Sequence, residues 1–364
     1  MKILFVFNHP APYKVRLFNA LAKDVDLDVI FERRRASDRP EEYYFEKHYD
    51  FNCIFLKRGA FSNENSNTSE LVKYLKKHHG EYDLIVMNGY STLTEIRGIR
   101  YLKKHNIPFA LYVNGGVIKK DSKLKYKIKK SLVSSATWYF SPSDEASEYL
   151  KYYGANIEKT YQYNYSTIMD KDVLDKPVSI KEKKELRNKY NLPNGTLFIS
   201  ASQFIERKNI LFLLECFKGL DEKLVLVGDG PQKDKYLQYV NENKMDNVLI
   251  KEYMNREDLL EYFKAFDAFI TLSKEDIYGH TINEAMSKGL PVISSSNVVA
   301  AHKLIKHKEN GFIVSLDDKK SIINFINDVK SLSSERALES AKENTLEVMA
   351  KQHLEIFKRI VKEK

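Results

Sequence analysis

Along the chain, short runs of β-branched and aromatic residues alternate with stretches whose apolar positions recur at helical spacing. In the first half, Lys2–Asn8, Asp26–Glu32, Asp83–Asn88, Pro108–Asn114 and Thr137–Ser141 read as strands. Helical stretches at Pro12–Lys23, Thr92–His105, Asp121–Ser135 and Asp144–Tyr153 fall between them. The second half repeats the scheme, with strands at Thr196–Ser200, Lys223–Val227, Asn247–Lys251, Ala268–Thr271 and Pro291–Ser294. Its helices fall at Lys208–Gly219, Gln232–Asn243, Asn255–Ala265 and Thr281–Lys288. Strands alternating with helices predict an α/β chain built on parallel, doubly wound sheets. The charged, strand-poor stretch 166–184 reads as a linker between domains at 1–165 and 185–345. Helical periodicity dominates after Asp317, and residues 346–364 are expected to form a C-terminal helix packing across both domains.

Length agrees with that division, since 364 residues are two domains at about 150 residues each. Two cysteines, Cys53 and Cys216, exclude a disulfide framework or a cysteine metal cluster and point to a reducing compartment. The opening apolar run Ile3–Phe7 stops at Asn8-His9-Pro10, too short for a signal peptide, and no stretch reaches the ~18 apolar residues of a membrane span. A cytoplasmic protein is expected. Of the net charge of +9, residues 1–165 supply 8, with 27 Lys+Arg against 19 Asp+Glu. An anionic partner should therefore meet the first domain.

Ligands of doubly wound sheets bind beyond the carboxyl ends of the strands, and two such domains would face a common cleft. The residues just after strands are thus the ones to weigh. Val227-Gly228-Asp229-Gly230-Pro231 is a strand, a glycine turn and a helix start. It reads either as backbone amides approaching a phosphate or as a tight turn with Pro231 opening a helix. The stretch 273–293 is more specific, running from a strand end through a glycine loop into a helix and on to the next strand. It places the amides of Gly279, His280 and Thr281 at a helix start, with Asp276 and Glu284 eight residues apart, one carboxylate for each of two hydroxyl-rich groups. The plain alternative is a capped helix with solvated acids.

This stretch resembles the signature of retaining glycosyltransferases of family 4: two acids separated by seven residues, an aromatic-glycine pair, Glu-Ala-Met, a glycine and Pro-Val-Ile. The resemblance continues through Ala201-Ser202-Gln203-Phe204-Ile205-Glu206-Arg207-Lys208-Asn209, the glycine turn at 227–231, and Asn247-Val248 with Tyr253. In the first half, Ala11-Pro12-Tyr13-Lys14, Asn114-Gly115-Gly116 and the stretch from Tyr149-Leu150 to Gly154-Ala155 are similar to capsule and cell-surface polysaccharide transferases of that family.

The resemblance implies the GT-B fold, two facing Rossmann-like domains with a helical C-terminus. It implies that Lys208 neutralises a nucleotide diphosphate, that Glu284 accepts from ribose hydroxyls and that Asp276 holds the donor sugar. Gln203, Arg207, Gly228, Gly230, Tyr253, Gly279, His280, Thr281 and Ile282 complete the implied donor site. His9, Pro12, Tyr13, Asn114, Gly115 and Gly116 form the implied acceptor side. The chain departs from the family at Asp276, usually glutamate, and at Gln203, usually arginine. It has Asn114-Gly115 where a His-Asp pair is common, and Asn8-His9-Pro10 where a Gly-Gly is usual.

No metal or cofactor is implied; the co-substrate is a nucleotide sugar, UDP-sugar ahead of GDP-sugar. Asp26-Leu27-Asp28 imitates a metal-binding Asp-x-Asp but falls at a strand start, where solvation explains it. The segment 119–130 holds seven lysines and one acid, with Leu124, Ile128 and Leu132 in one apolar stripe. Lys119, Lys120, Lys123, Lys127 and Lys130 are expected to meet an anionic membrane, which makes the protein peripheral at the inner face of the cell membrane. Nucleic acid is not expected, because no aromatic platform is interleaved with the lysines. The expected activity is transfer of a sugar, with retention, to a lipid-linked or cell-surface polysaccharide acceptor. The alternatives are a non-catalytic GT-B subunit binding glycan or a partner protein and, less well matched, a sugar-nucleotide epimerase.

Overall fold

The computed structural model describes residues 1–36, 44, 46, 48–56 and 67–364. The chain forms two compact units, Met1–Tyr165 with Leu346–Lys364, and Ser166–Thr345. In the first, the described strands are β1 (Lys2–Phe7), β2 (Asp26–Phe31), β3 (Asn52–Phe55), β4 (Leu84–Asn88), β5 (Ala110–Tyr112), β6 (Trp138–Ser141) and β7 (Thr160–Gln162). They pair in parallel in the order β3-β2-β1-β4-β5-β6-β7, with Ile3 of β1 level with Leu27 and Leu84. In the second they are β8 (Leu197–Ala201), β9 (Lys223–Val227), β10 (Val248–Lys251), β11 (Ala268–Thr271), β12 (Val292–Ser295) and β13 (Gly311–Val314), in the order β10-β9-β8-β11-β12-β13. The inner strands are apolar on both faces, as β1 shows with Ile3 to Phe7 all buried, because helices cover both sides of a parallel sheet. Strand order reverses between β1 and β4, and again between β8 and β11. In each sheet, taken by itself, such a switch point marks a crevice beyond the carboxyl ends of its own strands.

Most expected elements lie where the pattern placed them, with ends trimmed by one to three residues. The helix after the glycine turn begins at Lys233, so Pro231 precedes it within the turn. The lysine-rich helix runs Lys123–Val133, capped by the Ser122 hydroxyl accepting from the Lys125 amide at 3.4 Å. Strands β3, β7 and β13 and the helix Glu70–His78 were not anticipated.

Residues 166–184, read from sequence as a linker, fold with the second unit up to and into the helix Ile180–Lys189. Ile168 is fully buried, and the Leu174 amide donates to the Ser287 carbonyl at 3.0 Å. The helix Leu346–Glu363 belongs to the first unit. There Phe357 packs its ring 6.0 Å from Phe5 and 5.9 Å from Phe140, and Gln352 accepts from the Asn164 amide at 2.6 Å. His353, fully buried on the same helix, donates from Nδ1 to the Met349 carbonyl at 2.7 Å and lies between the rings of Tyr112, Tyr163 and Phe140.

Candidate active site

The loops that leave β8 and β11 flank the switch point of the second unit, and the residues with chemistry sit on them. After β8 the chain makes a short 3-10 turn, Glu206–Lys208, and then enters a helix through Asn209 in the left-handed region at φ 57°. Asn209 donates to the Leu272 carbonyl at 3.1 Å, and the Lys274 amide donates to the Arg207 carbonyl at 2.8 Å. The two loops are therefore stitched together by one side-chain and one backbone hydrogen bond. That stitching brings the Lys208 ammonium into a hydrogen-bonded ion pair with Asp276. Arg207 approaches the other oxygen of Asp276 at 3.9 Å and donates to the Glu275 carbonyl at 3.2 Å. Asp276 is in turn fixed by its amide, which donates to Asn297 O at 3.1 Å. Gly279, with φ 95°, passes so close to Val298 that a Cβ there would lie 2.4 Å from its side chain.

Glu284, on the helix His280–Met286, sits in a second cluster. Its side chain is 15% exposed. Oε1 accepts from the Thr167 hydroxyl at 3.4 Å and lies 3.5 Å from Arg256 Nε. Arg256 itself bridges to Asp172 at 2.8 Å and to the Thr167 carbonyl at 3.1 Å. Burial pushes the Glu284 carboxyl above its ordinary range, against Arg256 and the Thr167 hydroxyl, which pull it down. Burial also works against the Asp172 carboxylate, yet the Met169 amide and Arg256 hold it below its ordinary range. Among the described residues, no hydrogen bond or ion pair joins this cluster to the Asp276 pair.

The other expected donor-site residues are scattered in character. Gln203 is exposed, and Tyr253 stands 70% exposed after β10. Gly228 is required by the loop beside it: a Cβ there would lie 2.0 Å from the Ser202 carbonyl oxygen. The Gly230 amide is occupied by the Asp229 side chain at 2.8 Å. Ile282 is fully buried with its amide donated to the Gly279 carbonyl at 3.1 Å, whereas His280 and Thr281 are half-buried.

On the first unit, His9 Nδ1 is 3.2 Å from the Tyr44 hydroxyl, Pro12 opens a helix and Tyr13 accepts from Tyr165 at 3.1 Å. Asn114 donates to Asn88 at 3.1 Å, and Gly115 is half-buried next to it. Gly116 lets Tyr149 lie against the backbone, where a Cβ would meet the ring at 2.6 Å. Lys14, the last residue of the Ala11-Pro12-Tyr13-Lys14 stretch and without an expected role of its own, is fully buried with its ammonium 3.0 Å from the Tyr112 hydroxyl and 4.5 Å and 4.7 Å from the Tyr112 and Tyr165 ring centres. Burial lowers its pKa well below the ordinary lysine range. Asp28 is engaged by the Tyr82 hydroxyl and by Asn52 at 3.0 Å.

The lysine-rich helix divides its stripe. Leu132 packs inward, while Leu124 and Ile128 are 70% and 41% exposed. These two line a groove of about 330 Å³ with Tyr90, Ile96 and Leu132. Lys125 and Lys129 pair with Asp121 at 3.4 Å and 2.8 Å and, together with the Tyr153 hydroxyl, hold its carboxyl down at about 2. Lys119, Lys120, Lys123, Lys127 and Lys130 are exposed, and the lysines that line the groove are Lys125 and Lys129. No described helix is long and apolar enough to cross a membrane.

Residues 182–347 match the Glycosyl transferases group 1 family. The chain is 29% identical over 194 residues to the alpha-monoglucosyldiacylglycerol synthase of Streptococcus pneumoniae, a match covering 51% of this chain and 43% of that protein. It is 31% identical over 140 residues to the UDP-Gal:alpha-D-GlcNAc-diphosphoundecaprenol alpha-1,3-galactosyltransferase of Escherichia coli, covering 36% and 35%. The matches thus span less than half the length of either relative. Among solved structures, Anabaena HepE in complex with UDP superposes with a TM-score of 0.77 at 18% identity, over 99% of this chain and 100% of that one. Sucrose-phosphate synthase from Thermosynechococcus elongatus gives 0.76 at 18%, over 100% of both. The likeness is one of fold. This chain has the GT-B fold, two parallel-sheet α/β domains with a helical C-terminus, and its second domain is a Glycosyl transferases group 1 domain.

Proposed function

We propose that this chain is a retaining glycosyltransferase of family 4 that moves a sugar from a nucleoside diphosphate, UDP first and GDP second, to a lipid-linked or cell-surface glycan acceptor. The observation that carries the reading is the Lys208–Asp276 pair at the β8/β11 switch point of the matched domain, with Glu284 one helix further on. Lys208 would exchange Asp276 for the diphosphate, a compact cation against a departing anion. The released Asp276 would accept from the donor sugar's hydroxyls. The bond from C1 to the diphosphate oxygen breaks as the acceptor hydroxyl oxygen bonds to C1 on the same face, and the acceptor proton leaves on the diphosphate. No protein base or metal ion is assigned to that step.

Relatives and a structural neighbour support the finer choices. One relative's name specifies a UDP-galactose donor and a diphosphoundecaprenol acceptor, another's a diacylglycerol product, and a structural neighbour holds UDP. Leu124 and Ile128, exposed on a helix that carries exposed lysines, support a peripheral position on an anionic membrane.

Thermal unfolding with excess UDP, GDP, ADP and CMP tests the donor. A ligand at 100 times its Kd adds about 2.7 kcal/mol, a rise of several degrees for domains of this size. One nucleotide should stabilise the wild type and not Glu284→Ala, and Lys208→Ala should abolish transfer. A chain that responds to none of the four, and transfers no sugar, is instead a non-catalytic member of the fold.

A further inference from the structure

We infer that Arg256 is the positioning residue for Glu284, fixing its carboxylate so that the ribose diol of the nucleotide is recognised, and that it ties this carboxylate to the loop carrying Tyr253. The inference rests on the ribose reading of Glu284 given above. Arg256 is the first residue of the helix Arg256–Phe263, which starts at Asn255, whose side chain accepts from the Asp258 amide at 2.9 Å. The guanidinium therefore issues from a capped and rigid point, three residues beyond Tyr253. Its Nη2 is pinned twice, by Asp172 Oδ2 at 2.8 Å and by the Thr167 carbonyl at 3.1 Å. A planar fork held at one end cannot swing, so the direction of the remaining N–H groups is set.

Nε lies 3.5 Å from Glu284 Oε1, buried and without a hydrogen-bond acceptor among the described residues. Thr167 Oγ1 donates to the same oxygen at 3.4 Å. One oxygen of Glu284 is thus approached by two donors from two separate segments, and Oε2 takes no protein hydrogen bond among the described residues. A cis-diol needs an acceptor that is charged, held against rotation and open on one side. Asp172 matters as much as Arg256, because its carboxylate draws the guanidinium away from full pairing with Glu284. A lysine could supply the charge but not the fork. The first turn of a helix rich in Glu257, Asp258 and Arg256 reads from sequence as a solvated face, so the pattern gave no signal for this role.

The test is the ratio of Kd values for 2′-deoxy and ribo forms of the nucleoside diphosphate that stabilises the wild type, with the 3′-deoxy form alongside, measured by calorimetry. A hydrogen bond to a charged acceptor is worth about 1.5–3 kcal/mol, so the wild type should prefer the ribonucleotide by tenfold or more. Glu284→Gln should shrink the ratio to a few-fold. Arg256→Gln should do the same while deoxynucleotide affinity stays within about threefold of wild type, and Arg256→Lys should restore part of the preference. Asp172→Asn keeps both Arg256 and Glu284 and should also lower the ratio, which covers the case in which Arg256→Gln fails to fold. Arg256→Gln and Asp172→Asn with the wild-type ratio, beside a Glu284→Gln that has lost it, would overturn the inference alone. A wild-type ratio in Glu284→Gln would overturn the ribose reading and the inference with it.

Discussion

Gly228 shows how one residue type serves two explanations. The glycine turn reads as a phosphate cradle, yet its first glycine is already demanded by the Ser202 carbonyl, which leaves no room for a Cβ at 2.0 Å. Sequence alone could not separate the two, because tight backbone packing and anion approach select the same residue. Gly228→Ala should destabilise the second unit by about 2 kcal/mol or more, through forced movement of the Ser202–Phe204 loop. Denaturant unfolding checks this, and a loss below ~0.5 kcal/mol would mean the loop yields freely. Lys208 and Asp276, 68 residues apart, stand out in the sequence because each falls in a stretch resembling a known signature, and the structure pairs them because their loops leave neighbouring strands. Arg256 does not stand out, since its partners lie at Thr167, Asp172 and Glu284, far away in the chain. The burial of Lys14 is hidden for a related reason: a lysine at helical spacing reads as surface, and the four aromatic rings around it come from separate segments.

At the scale of elements, the alternation of runs and periodic stretches gave most strands of both sheets, and the exceptions are physical. β3 and β7 are short strands at the two edges of their sheet, and β13 begins with Gly311, whose backbone lies against Val292 in the neighbouring strand. Edge strands carry less continuous apolar pattern than central ones, and a glycine start hides the run. The lysine-rich helix left an open question about its narrow stripe, which the structure divides: Leu132 is used for the core, and Leu124 and Ile128 are not. Leu124→Asp with Ile128→Asp should reduce co-sedimentation with vesicles of one-third phosphatidylglycerol at least fivefold while leaving the melting temperature within two degrees. Lys123, Lys127 and Lys130 changed to Gln should remove the remaining binding and its salt dependence. Equal sedimentation of wild type and both variants would rule this surface out.

The molecule as a whole is organised around a first unit that is discontinuous in sequence. Its core is closed by the helix Leu346–Glu363, and His353 stands at the centre of that closure with its pKa lowered by burial, to about 3. The unfolded chain takes up a proton near pH 6.5 and the folded one does not, so the stability due to neutral His353 is complete above pH 6.5 and is lost as pH falls towards 3. At ~1.4 kcal/mol per pH unit this amounts to several kcal/mol. First-unit stability should fall steeply through that window in the wild type and more gently in His353→Leu, as read by chemical denaturation at pH 7, 5 and 4. Parallel curves would show that the histidine does not titrate there.

The return of the last helix also sets a calendar for synthesis. Residues 166–345 are contiguous and meet all their own core partners in one pass. The sheet of the first unit emerges earlier, but it lacks the helix that seals Phe5 and Phe140 until those 180 residues (345 − 165) have been made. At 5–20 residues per second that is a wait of roughly 10–35 s with an apolar face uncovered. The half of the chain that is born first is therefore the half that matures last, and chaperones that bind nascent chains should crosslink to it rather than to the later half.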